Sequence, residues 1–192
     1  MVRSSLYITS TKLFETTMSL IQSTYDTPTS PGSFETVLLQ GSNLVHYWRD
    51  NKDTSGTKWV RTEVITNKAS APGAIFQSKQ GTPLDGASAS SVTAPGGPGN
   101  FEVVVLEGRD LVHYTRDDSA AGGKQWKQGA TITSNASGPG SIIQGNFATP
   151  NQPGNLEVIV PEGDQWVHYW RDDSQGASGS WKKSTNIAST SS

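Results

Sequence analysis

Bulky apolar residues in this chain alternate with polar ones in short runs, and no stretch of eleven residues keeps a convincing 3.6-residue period. The pattern predicts strands. A first strand is expected at Leu20–Thr24 and a second at Ser33–Leu39, with Phe34, Val37 and Leu39 among its apolar positions. A third is expected through Leu44, His46 and Trp48, and a fourth at Lys58–Thr66. Period-two geometry sets Leu44, His46 and Trp48 on one face of the third strand, with Val45, Tyr47 and Arg49 on the other. Gln40-Gly41-Ser42-Asn43 reads as a tight hairpin turn, because Gly and Asx residues accept the backbone angles such turns need.

The same order recurs twice. Leu44-Val45-His46-Tyr47-Trp48-Arg49-Asp50 reappears as Leu111-Val112-His113-Tyr114-Thr115-Arg116-Asp117 and as Trp166-Val167-His168-Tyr169-Trp170-Arg171-Asp172. Phe34-Glu35, Phe101-Glu102 and Leu156-Glu157 precede these motifs, and Trp59, Trp126 and Trp181 follow them. Turns at Glu107-Gly108-Arg109-Asp110 and Glu162-Gly163-Asp164-Gln165 keep the phase, as do fourth strands expected at Gln125–Thr133 and Ser180–Ile187. The offsets give a unit of about 55 residues, within the period expected of repeat architectures. The second unit is longer through a Gly/Ser/Ala/Pro-rich loop at Gly81–Gly97.

Four antiparallel strands per unit, repeated, predict an all-β chain of three four-stranded β-propeller blades. Residues 17–73 form blade one, 74–140 blade two with its insertion at about 79–97, and 141–192 blade three. Residues 1–16 add a strand-like segment, Ser5–Thr11, read as a clasp or as the remnant of a further blade. Propellers close with about four to eight blades. Three therefore leave apolar flanks, and a homodimer of six blades is the expected remedy, a longer parent chain the alternative.

Composition narrows the partners. The chain has 192 residues and a net charge of −2, with no basic footprint for nucleic acid. It has no Cys, hence no disulfide and no thiolate metal site or nucleophile. No apolar run is long enough to span a membrane as a helix, and no secretory leader is read at the N-terminus, so a cytoplasmic or non-classically released protein is expected. No cofactor is expected. The acidic pairs Asp117-Asp118 and Asp172-Asp173 lack the loop of a calcium site, so no metal is assigned to them.

The order Gly-Asn-Leu-Glu-Val, Gly-Asx turn, (Leu/Trp)-Val-His-Tyr-Trp, Gly-containing loop and Trp resembles the blade repeat of the PLL-type bacterial propeller lectins and the related tectonin-like lectins. The resemblance covers roughly residues 18 to 187. It differs in having Val before each His where those lectins carry Trp. It implies a propeller that binds glycans at repeated sites.

A pyranose needs an apolar plate for its C–H face and planar hydrogen-bonding groups for its hydroxyls. Trp supplies the plate, and Arg beside Asp supplies the groups. Trp48, Arg49 and Asp50, with Trp170, Arg171 and Asp172, are the fullest candidate ligand sites; Arg116 and Asp117 lack the Trp because Thr115 replaces it. Tyr47, Tyr114 and Tyr169 complete the candidate set. Architecture competes for the same residues. His46, His113 and His168 are expected to hydrogen-bond Glu35, Glu102 and Glu157 or a backbone carbonyl, and the late tryptophans to fill space between blades.

Two other functions fit the repeat. A propeller disc can serve as a scaffold for protein partners, since fold alone assigns no function. Three repeat-equivalent arginines also suggest a sialidase-like glycoside hydrolase. However, Asp53 and Gly56 are spaced one residue too far apart for its Asp-box, and nearly every ionisable group has a repeat mate, where catalysis needs unique ones. The sequence is therefore read as a non-enzymatic, multivalent carbohydrate-binding protein.

Overall fold

The computed structural model describes residues 19–23, 32–52, 58–78, 99–117, 125–145, 154–173 and 179–190. The expected strand at Ser5–Thr11, the loop at Gly81–Gly97, the Asp53–Gly56 segment and Asp118 lie outside them. The described residues form three four-stranded antiparallel sheets and contain no α-helix.

Sheet I has the order β1 (Leu20–Gln22), β2 (Phe34–Gln40), β3 (Asn43–Arg49), β4 (Val60–Thr66). Sheet II repeats it with β5 (Ala74–Gln77), β6 (Phe101–Glu107), β7 (Asp110–Arg116) and β8 (Trp126–Thr133). Sheet III follows with β9 (Ser141–Gln144), β10 (Leu156–Glu162), β11 (Gln165–Arg171) and β12 (Lys182–Ser189). Each agrees with the strands read from the sequence to within a few residues. The central hairpins share one register: Val37 faces His46, Val104 faces His113 and Ile159 faces His168. Each hairpin turns on a glycine with positive φ, 63° at Gly41, 65° at Gly108 and 62° at Gly163, an angle that disfavours residues with a Cβ.

The core lies between sheets. Val37, Leu44 and Ile65 of sheet I pack on Phe101, Val103, Val105 and Val112 of sheet II. The opposite face of sheet II, with Val104, Leu106 and Leu111, packs on Val158, Val160 and Val167 of sheet III. The central strands of sheet II are thus buried on both faces, and β6 reads as an apolar run except for Glu102 and the terminal Glu107. Each fully buried Val, Leu or Phe contributes about 1.5–3 kcal/mol. Phe101, Leu111 and Leu156, all fully buried, are leading contributors.

The connections are short and specific. After β4 the chain bonds first its own hairpin, Ala69 N–H to Ser42 O (2.9 Å), and then the next, Ser70 N–H to Leu106 O (2.8 Å). After β8 the same path runs from Ala136 N–H to Arg109 O and from Ser137 N–H to Pro161 O. Gly73 and Gly140 then let the backbone pass against the preceding sheet: a Cβ on Gly73 would stand 2.7 Å from Leu44 Cδ2, and one on Gly140 would stand 2.9 Å from Leu111 Cδ2. The first strands lie in succession, β5 touching both β1 and β9.

Candidate functional site

The third strands carry most of the candidate side chains, and the faces assigned by alternation are those observed. On the inner face of β3, His46 Nε2–H donates to Glu35 Oε2 at 2.8 Å. The pair recurs as His113 with Glu102 (2.7 Å) and His168 with Glu157 (2.6 Å). The expected His–Glu bonding is present in all three sheets. Register explains it: Glu35 lies two residues from Val37, the partner of His46, and therefore shares its face.

The surroundings of His46 set its tautomer. Arg116 Nη1, which can only donate, lies 3.2 Å from His46 Nδ1, so Nδ1 accepts and the ring proton sits on Nε2. The Thr62 hydroxyl lies 2.8 Å from the same nitrogen. Burial holds the His46 pKa below its ordinary value of 6.5, the Arg116 charge adds to this, and Glu35 opposes it. Gly129 occupies the repeat position of Thr62, and the buried His113 Nδ1 has no hydrogen-bond partner among the described residues.

Over each inter-sheet histidine sits a tryptophan from the following sheet. Trp126 meets His46 edge-on at 5.6 Å between centroids, and Trp181 meets His113 at 5.7 Å. The late tryptophans of sheets II and III therefore fill space between sheets, as expected, whereas Trp59 is exposed. Arg116 stacks on Phe101 (4.8 Å) and Trp126 (5.6 Å), and Arg171 on Trp181 (5.4 Å). Arg49 makes the same stack on Phe34 (4.9 Å) and Trp59 (5.7 Å).

These contacts divide the candidate set. Arg116 and Arg171 are buried in the stacks just described. Tyr114 and Tyr169 are also buried, their hydroxyls donating to Glu107 Oε1 and Glu162 Oε1, each at 2.7 Å. Burial, together with Glu107, pushes the Tyr114 pKa up to about 12, although a hydrogen bond with Thr66 opposes the shift. Tyr47 and Arg49 are half-buried on the outer face of sheet I, and Gln40 Nε2 donates to the Tyr47 hydroxyl at 2.7 Å. Trp48 and Trp170 remain half-exposed at the ends of β3 and β11. Asp50 is exposed and accepts from Lys52 N–H, while Asp117 and Asp172 are half-exposed. Lys182 Nζ stands 4.6 Å above the Trp170 ring.

The sequence reading placed Asp173 in the candidate run Trp170-Arg171-Asp172-Asp173 but did not foresee its pairing with Arg171 and Gln144. It is buried, and its carboxylate accepts from Arg171 Nη2 at 3.1 Å and from Gln144 Nε2 at 3.1 Å. Burial, with repulsion from Glu102, raises its pKa from 3.8 to about 7 against the pull of Arg171. The only available signal was its place in the Asp172-Asp173 pair, which does not say which carboxylate turns inward.

A separate concavity of about 360 Å³ opens beside residues 72–74 and 139–141, with Ile159 and Trp166 in its lining. Among the described residues, no charged side chain lines it and none of the sequence-selected residues reaches it. Comparison with family models, with curated proteins and with solved structures finds no match to this chain.

Proposed function

We propose that this chain is a carbohydrate-binding protein whose three sheets are blades of a β-propeller and whose sites repeat along the blade rim. The arrangement of the first strands, with β5 between β1 and β9, supports the radial reading. The observation that carries the functional reading is that Trp48 and Trp170, at one repeat position, are both half-exposed and each precedes a carboxylate by two residues, Asp50 and Asp172 respectively. A sugar ring would stack on the indole while the carboxylate accepts from its hydroxyls.

The arginines favour binding over glycoside hydrolysis. A carboxylate clamp would need Arg49, Arg116 and Arg171 to converge, yet each is stacked on aromatic rings of its own sheet. Repeated weak sites on one particle gain avidity when a glycan surface presents several copies of the ligand.

The test is a glycan array read with the wild-type chain, Trp48→Ala, Trp170→Ala and the double variant. The expected result is glycan binding by the wild type, weakened about tenfold or more in the double variant, with unchanged circular dichroism. An array without any bound glycan, or binding indifferent to both substitutions, rejects this reading.

A further inference from the structure

Among the described residues both inter-sheet seams join equivalent half-surfaces, and a copy of each half that no described sheet covers lies at either end of the sheet series. The first half is the face of a sheet that carries the histidine, and it packs on the sheet that follows. In sheets I and II it is buried: Val37, Leu44 and His46, then Val104, Leu111 and His113. In sheet III the equivalents are Ile159, Trp166 and His168; the first two are exposed and His168 is half-buried. Ile159 is 42% exposed where Val37 and Val104 are each 1%. Ile143, on the same face, is exposed as well.

The second half is the face that carries the Arg–aromatic stack, and it packs on the sheet before. In sheets II and III its aliphatic positions are covered, Ile75 at 3% and Ile142 at 5%; in sheet I Val45 is covered too, but Leu20, the equivalent of Ile75 and Ile142, is 60% exposed. The stack itself is already assembled on the open face, with Arg49 over Phe34 and Trp59 at distances within about 0.1 Å of those of Arg116 over Phe101 and Trp126. Within the chain, Trp126 and Arg116 use this arrangement to cover His46.

We infer that the open face of sheet III binds the open face of sheet I of a second copy of this chain, head to tail. Trp59 and Arg49 of the second copy then cover His168 as Trp126 and Arg116 cover His46. Two copies present two such seams and close a ring of six sheets. One sequence difference fits this seam. Internal seams hold a Thr–Glu bond, Thr66 Oγ1 to Glu107 Oε1 and Thr133 Oγ1 to Glu162 Oε1. The open faces carry Ala188 and Gln40 at those positions, so the threonine and the carboxylate are lost together and docking buries no unpaired charge there. This inference does not depend on glycan binding.

The test measures mass by light scattering on the 192-residue chain and on two face variants, Leu20→Glu and Ile159→Lys, each checked for native circular dichroism. Both positions are exposed, so the isolated fold should survive the substitutions. The wild type is expected at twice the 20.5 kDa of one chain, and each variant alone at one chain. Mixing the two variants should restore a two-chain species, because one seam in the mixed pair has both faces native. A wild type that stays at one-chain mass at about 100 μM, well above the micromolar range of weak specific pairs, overturns the inference, as it would if residues 1–18 covered a face instead. Variants that keep the wild-type mass, or a mixture that stays at one chain, overturn it equally.

Discussion

His113 Nε2 lies 2.7 Å from Glu102 Oε2 with both side chains withdrawn from water, while the repeat-equivalent His168 and Glu157 keep the same bond half in solvent. One hydrogen bond is therefore present in two dielectric settings, and that difference governs what its removal costs. Glu102→Ala strands a buried imidazole N–H and should cost about 3 kcal/mol or more. Glu157→Ala lets water reach His168 and should cost about 1 kcal/mol or less. Urea unfolding midpoints of the two variants check the ordering.

Asp173 predicts a pH dependence. Its pKa in the folded chain is raised to about 7 from an ordinary 3.8. Between these values the unfolded chain has lost the proton that the folded chain keeps, so its contribution to stability falls as pH rises from about 4 to 7 and then levels off. Asp173→Asn should flatten this part of the stability profile. The slope between pH 4 and pH 7, measured by urea unfolding, is the readout, because the amide also changes the bonds to Gln144 and Arg171.

His46 acts in the opposite sense. Its folded pKa lies below 6.5, so on acidification the unfolded chain takes up a proton that the folded ring refuses. Stability from this residue is complete above about pH 6.5 and declines below it. Nitrogen NMR should find the His46 ring neutral, protonated on Nε2, at pH values where an exposed histidine is already charged. A ring that titrates at or above 6.5 contradicts this burial of His46 beside Arg116.

Two glycine substitutions separate conformational strain from crowding. Gly108→Ala meets no atom within 4 Å, so it should cost only the positive-φ penalty, about 1–2 kcal/mol. Gly140→Ala drives a methyl group to 2.9 Å from Leu111 Cδ2 and 3.3 Å from Ile159 O. It should cost about 1–3 kcal/mol through displacement of the sheet II–sheet III seam. Thermal unfolding checks both values. Near-ultraviolet dichroism should change only for Gly140→Ala, because Trp181 packs in that seam.

Much of this architecture was legible from short-range pattern alone. Strand positions, hairpin turns, the threefold repeat and the His–Glu pairing all depend on residues a few positions apart, or on register that a two-residue turn fixes. Alternation placed His46 and Arg49 on opposite faces of β3 without reference to any other sheet.

The tertiary structure decided which repeat copies are accessible. Arg49, Arg116 and Arg171 read alike in sequence, as do Tyr47, Tyr114 and Tyr169, yet among the described residues Arg116, Arg171, Tyr114 and Tyr169 are buried against a preceding sheet while Arg49 and Tyr47 are half-buried on a face that no described sheet precedes. Asp173 turned inward toward Arg171, a choice its neighbour Asp172 could have made as readily on sequence grounds. The physical reason is common to these cases. Local sequence sets the face to which a side chain belongs, but burial requires a second surface, and that surface comes from a sheet distant in the chain.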